Sequence, residues 1–187
     1  MAGTGDIAAA MDGDRQAFAR LYDRYHRAVF IELAARLRWS QDAEDALQAT
    51  FLAAWVNLPK LRRPKRFVAW LFRIARNKAK DQMRRTQPRM VLLGNNEDLI
   101  APAASPADGP ETEALRSLVA GLQEKTRAIL LLRTVEGWSA EEIATAKGMS
   151  VATVRRHYTR AKEHLRAGLE RNQTDDGQDR SSRRVHL

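Results

Sequence analysis

Arg73, Arg76, Lys80 and Arg84 recur through FVAWLFRIARNKAKDQMRR (Phe67–Arg85), with Arg66 just before it, at spacings that gather them on one side of a helix, with Asn77 at the edge. Phe67, Trp70, Leu71 and Ile74 line another side at three- and four-residue steps. Phe72 falls outside that apolar stripe and beside the basic side, so its ring is open to two uses, core packing or base stacking. A buried stripe, a cationic face and a stray aromatic suit a polyanion that carries stackable bases. A solvated basic face on an ordinary core helix has the same pattern. Just upstream, KLRRPKR adds Arg62, Arg63 and Lys65 on a short basic loop. From Lys60 to Arg89 there are twelve cationic residues and one acidic residue, Asp81. Such a block beside an apolar stripe points to nucleic acid or an acidic protein surface, and less to a membrane surface.

A second cationic cluster lies further along. Ser139 with Glu142 three residues on forms a capping box that opens a short helix. Gly148 closes that helix, and Ser150 caps another whose inner stripe is Val151, Val154, Tyr158, Ala161, Leu165 and Leu169. Its outward positions are Ala152, Arg155, Arg156, Thr159 and Arg160. Short helix, tight turn and capped long helix make a helix-turn-helix. In that motif the second helix lies in the major groove with its N-terminal residues on base edges. Arginine forks match guanine edges and phosphates. A helical hairpin with merely solvated arginines is the bland alternative.

Other chemistries find little support. There is no cysteine, hence no disulfide and no thiolate zinc site. His157 and His164 stand seven residues apart on one helix, roughly 10.5 Å by helical rise, too far to share a zinc ion. His26 is isolated, so no metal site and no cofactor is expected. Glu141 and Glu142 read as capping and solvated residues. No phosphate loop or nucleophile elbow occurs, so no catalytic residue is assigned and no enzyme activity is expected. No apolar run approaches the roughly 20 residues of a spanning helix, and the start MAGTGDIAAAMDGD lacks signal-peptide character, so we expect a soluble cytoplasmic chain without membrane insertion.

The 187 residues allow one large or two small domains, with 32 − 23 = 9 excess positive charges. A short helix over Ile7–Met11 precedes Gly13. Asp14 caps a helix striped by Phe18, Leu21, Tyr22, Tyr25, Val29, Leu33 and Leu37, running to about Arg38. Ser40 or Asp42 caps the next, striped by Ala43, Leu47, Phe51, Ala54, Trp55 and Leu58 and stopped by Pro59. The aromatics Phe51, Trp55, Phe67 and Trp70 read mainly as core. Pro, Gly, Asn and Ser then recur without period, predicting an extended linker with apolar islands at Met90–Leu93 and Leu99–Ile100. Leu115, Leu118, Val119 and Leu122 mark one more helix, and a leucine-rich one follows from Gln123 to Val135, closed by Gly137. The fold class is all-α: two small helical domains, 1–86 and 111–170, joined by a flexible linker, 87–110, with 171–187 a disordered tail. The two bodies are expected to be held on a tether, not fused through one continuous core.

DAEDALQATFLAAW (Asp42–Trp55), followed by the basic helix, resembles the second region of bacterial RNA polymerase sigma factors of the extracytoplasmic-function group. LQEKTRAILLLRTVEGWSAEEIATAKGMSVATVRRHYTRAKEHL (Leu122–Leu165) is similar to their fourth region. With the first helix, the resemblance covers roughly residues 5–170. It implies a promoter-specificity subunit that recognises two promoter elements and promotes strand opening. Asp42, Asp45, Gln48, Phe51 and Trp55 would dock on the clamp helices of the polymerase's largest subunit. Arg62, Arg63, Lys65, Arg66, Phe72, Arg73, Arg76, Asn77, Lys80 and Arg84 would open and hold the minus-ten element. Ser150, Ala152, Thr153, Arg155, Arg156, Thr159 and Arg160 would read the minus-thirty-five element, while the helices before them grip the flap of the second-largest subunit. An anti-sigma factor is the further implied partner. Ala49 stands where the family usually has an acidic residue, and Arg156 and His157 where Ser and Arg are typical. A helix-turn-helix regulator that never joins core polymerase is the alternative, and a protein-interaction module for an acidic partner is a third reading.

Overall fold

Local signals account for where the helices begin. In the computed structural model, which describes residues 4–37, 40–93 and 110–182, α1 (Thr4–Met11) is followed by Gly13 at φ +94° and then α2 (Arg15–Ala34). Asp14 Oδ1 accepts the N–H groups of Gln16 and Ala17 at 2.8 and 3.1 Å, satisfying donors that the helix leaves unpaired. α3 (Ser40–Asn57) ends in a 3₁₀ turn, Leu58–Lys60, at Pro59. A second turn, Pro64–Arg66, leads into α4 (Phe67–Leu93). Four more helices follow: α5 (Pro110–Ala120), α6 (Glu124–Thr134), α7 (Ala140–Lys147) and α8 (Val151–Ser182). Among the described residues all regular structure is helical.

Two boundaries differ from the sequence expectation. The linker does not begin at 87, because α4 runs on past Pro88 to Leu93. A lone proline removes one helical hydrogen bond, and Met90, Leu92 and Leu93 are good helix formers. The rest of the linker, with Leu99–Ile100, lies outside the described residues. The tail is not irregular from 171, since α8 continues to Ser182. Extending an existing helix adds a hydrogen bond for each residue fixed, without a new nucleus. Residues 183–187 lie outside the described residues.

The expectation that the two bodies share no continuous core is also corrected. One apolar cluster packs α1–α4 around Leu21, Val29, Leu33, Phe67 and Leu71, and it continues into α6–α8 through Ile129, Leu132, Ile143 and Val154. Trp138, in the turn before α7, forms the joint. Its ring lies 6.3 Å from Tyr25 on α2 and 5.6 Å from Phe72 on α4. The cause is that α4 is apolar on two sides. Phe72, outside the stripe predicted from the sequence, takes cover under the other half and is fully buried. A smaller cluster of Leu122, Leu130 and Ala161, with Val119, Tyr158 and Leu165 against it, ties α5 and α6 to α8. Gly168 permits that closeness: a Cβ there would lie 2.2 Å from Leu118 Cδ2.

Candidate nucleic-acid interface

α4 presents most of its predicted cations to solvent. Arg66, Arg73, Lys80 and Arg84 are exposed, as are Asn77 and the loop residues Arg62, Arg63 and Lys65. A cavity of about 380 Å³ opens beside them, lined by Asn57, Lys60, Arg62, Trp70, Arg73 and Ile74 among others. It combines one half-buried indole with three cations, a composition that can stack an unpaired base and hold its phosphate. Trp70 and Lys60 were not among the predicted contacts; Trp70 read as core because its spacing matches the buried stripe, and its ring is in fact only partly covered. Two predicted members are placed elsewhere. Phe72 is buried against Trp138, which settles its open choice in favour of packing. Arg76 is half-buried, donating from Nη1 to the Ala146 carbonyl on α7 at 3.3 Å and facing Glu32.

The helix-turn-helix is built as its capping residues dictate. The Ser139 backbone N–H donates to Glu142 Oε2 at 2.8 Å, and the Glu142 N–H donates to Ser139 Oγ at 3.1 Å. The first of these bonds holds the Glu142 carboxyl below its usual range. Gly148 takes φ +66°, a left-handed conformation that terminates α7 and sets the turn. Ser150 Oγ then accepts the Thr153 N–H at 3.1 Å. Ala152, Arg155, Arg156, Thr159 and Arg160 are exposed together on α8, as is Ser150 just before it, with Thr153 half-buried beside them. Arg155 reaches back to Glu141 at 3.2 Å. Arg133 braces the motif from behind, donating to the Trp138 carbonyl at 2.7 Å with its guanidinium 5.3 Å from the Tyr158 ring centre.

His157 does not join the outward face. Its Nδ1 meets Thr126 Oγ1 at 2.9 Å, linking α8 to α6. Burial, reinforced by Arg156 and Arg160, holds its pKa below the ordinary 6.5. A base whose folded pKa is depressed contributes stability that is present above its unfolded pKa and lost as pH falls through the folded one. Thermal stability is therefore expected to fall on the acid side, below about pH 6.5. His157→Gln should flatten that part of the Tm–pH curve, and an unchanged slope would assign the effect to other groups.

On α3, Asp45 and Gln48 are exposed, while Asp42 accepts from Gln82 Nε2 of α4 at 2.8 Å. Phe51 is buried, 6.3 Å from Phe18 and 4.7 Å from Tyr22, so its expected availability to a partner is corrected: this aromatic cluster consumes it. Trp55, 4.9 Å from Phe18, keeps part of its ring at the surface. The sequence reading missed Leu52 and Val56, exposed at 68% and 66%. They continue the Asp45–Gln48 line at four-residue steps, and two apolar side chains off the core stripe were the available signal. Among the described residues no group of acidic or histidine side chains is arranged to hold a metal, and no helix is long and apolar enough to cross a membrane.

A family model described as Sigma-70 region 2 matches residues 21–89, from α2 through α4. One described as Sigma-70, region 4 matches residues 112–165, from α5 into α8. Over 158 residues the chain is 35% identical to RNA polymerase sigma factor CarQ of Myxococcus xanthus, covering 83% of this chain and 90% of CarQ. It is 34% identical over 173 residues to the probable RNA polymerase sigma factor RfaY of Xanthomonas campestris pv. campestris, spanning 88% of this chain and 43% of RfaY. Among solved structures it is similar to CnrH in complex with the cytosolic domain of CnrY, with a TM-score of 0.63, 28% identity, and coverage of 91% of this chain and 98% of CnrH. The chain belongs to the extracytoplasmic-function group of the sigma-70 family of RNA polymerase sigma factors. Members of this family are transcription initiation factors, not catalysts.

Proposed function

We propose that this chain joins core RNA polymerase, reads a minus-thirty-five element with α8 and opens the minus-ten element with α4 and the loop before it. The observation that carries this reading is Arg73, exposed on α4 where it lines the cavity with Trp70, with Asn77 exposed one helical turn further along. Opening requires a surface that prefers single strands: cations hold the backbone while a pocket takes an unstacked base, offsetting the few kcal/mol of unpairing. The exposed α8 arginines serve the duplex element. Joining both readers in one chain raises the local concentration of each at the other's site, so each contact can be weak. The helices up to the end of α4 at Leu93 then act as the melting and polymerase-binding unit, the segment between α4 and α5 as linker and residues 111–170 as the duplex reader. An anti-sigma factor completes the set of partners; the 28% identical CnrH carries the cytosolic domain of CnrY in its solved complex.

Run-off transcription with purified core polymerase over a promoter-fragment library tests the proposal. Asn77→Ala should depress initiation on duplex templates and spare pre-melted ones; equal loss on both would remove Asn77 from the opening step. Arg155→Ala should weaken binding by about 1–3 kcal/mol and relax preference at one minus-thirty-five position. A uniform loss across all sequences, with a shallower salt slope, would make Arg155 a phosphate contact.

A further inference from the structure

The cavity beside α4 has one wall that cannot support itself. Ala53 and Asn57 stand on α3, and Trp70, Arg73 and Ile74 on α4, so helices fix them. Lys60, Leu61 and Arg62 complete the lining from the basic loop, whose regular structure is two short 3₁₀ turns, Leu58–Lys60 and Pro64–Arg66. The Leu61 N–H donates to the Leu58 carbonyl at 3.0 Å, and the Arg66 N–H to the Arg63 carbonyl at 2.9 Å. Lys60, Arg62, Arg63, Lys65 and Arg66 are all exposed, and five like charges so close in sequence repel one another. Against that repulsion the loop buries the side chains of Leu58 and Leu61.

α1 supplies what the loop lacks. It packs against both turns as well as against α2. Ile7 and Ala10 lie three residues apart, hence on one face, and both are buried in the apolar cluster that holds Leu58 and Leu61. Asp6 meets Arg20 of α2 at 2.7 Å, and Gly13 at φ +94° turns the chain from α1 into α2. A helix of eight residues is not stable by itself, so α1 owes its order to these contacts. No residue of α1 is assigned a contact with DNA or polymerase, yet this helix backs the loop that lines the cavity.

We infer that α1 is a positioning element for base recognition. Ile7 and Ala10 hold the two turns, and with them Lys60 and Arg62, in the shape that the cavity requires. A wall fixed before the base arrives spares the ordering cost of binding and rejects a base that fits badly, whereas a loose wall adapts to any base. The inference rests on the reading of this loop as part of the minus-ten surface.

The test uses the full chain. Ile7→Ala thins the brace, and Gly13→Val strains the turn that carries it, so α1 is loosened by two routes. Ile7→Val is the conservative control. Amide hydrogen exchange reads the brace: Leu61 and Arg66 should exchange about tenfold faster in both loosening variants, with the α6 amides unchanged. Unchanged exchange at Leu61 and Arg66, or an equal acceleration in α6, would overturn a local brace. Run-off transcription with core polymerase over a promoter-fragment library reads the consequence. The spread of initiation among minus-ten variants should shrink about fivefold, the low end of what one mismatched position is worth. Preference at the minus-thirty-five element should hold, and Ile7→Val should behave as the wild type. Arg62→Ala serves as reference, because it alters the cavity wall directly. If Arg62→Ala shifts minus-ten preference and the α1 variants do not, the positioning role is overturned and the loop reading stands. If none of them shifts it, the loop reading fails and the positioning role fails with it, while exchange still decides the brace.

Discussion

Leu52→Asp is expected to weaken association with core RNA polymerase by about 30-fold, or about 2 kcal/mol. Leu52 is 68% exposed and takes no part in the core, so folding gives no reason for an apolar side chain there. Val56 repeats the feature one turn on, and Asp45 and Gln48 extend the line toward the start of α3. An exposed apolar pair that continues an acidic and amide-bearing stripe is suited to be the desolvated part of an interface, with the polar groups as its rim. Aspartate would place a charge in that part with no partner. Asp45→Ala, a rim change, should act mainly on the association rate. Titration of labelled core polymerase measures both effects. Thermal unfolding of Leu52→Asp should stay within about 0.5 kcal/mol of the wild type, as for other exposed sites. Full binding by this variant would place the polymerase contact elsewhere.

How much of this was legible beforehand depended on the range of each signal. The helix-turn-helix was readable because its determinants are local. Ser139 and Glu142 reach each other within one turn, Gly148 sets its own backbone, and the α8 arginines follow from helical geometry alone. The exposed part of the α4 face was readable for the same reason. The junction was not. A glutamate at position 32 reads as solvated until its partner, 115 residues away, is known. Phe72 had two fates that only Trp138, from the other half, could decide. Leu52 and Val56 were an available clue that went unused, because attention to the buried stripe passes over apolar residues beside it. Expecting two bodies without a common core was the natural consequence of weighing each helix alone. What joins them is tertiary, and its charged centre carries no periodic signature.

Glu32→Ala is expected to be the most damaging single change considered. Removing one partner of a buried ion cluster typically costs about 3–5 kcal/mol, because the remaining charges lose compensation but stay desolvated. Lys147, Arg36 and Arg76 would all face the vacancy. The chain has a way to escape that penalty: if the two halves part, the cations return to water. Urea titration followed by two probes should therefore separate the events. Scattering should register expansion at lower denaturant than circular dichroism registers loss of helix, and the gap should be wider in Glu32→Ala than in the wild type. Adding Lys147→Met removes one uncompensated charge, so the double variant should lose less than the sum of the single changes, with a coupling of about 0.5–3 kcal/mol. Coincident loss of compactness and helix in every variant would mean that the Glu32 ion cluster is integral core and unfolds with everything else. Because the outcome turns on the order of two transitions and not on stability alone, it distinguishes an ion cluster between separable halves from an ordinary buried ion pair.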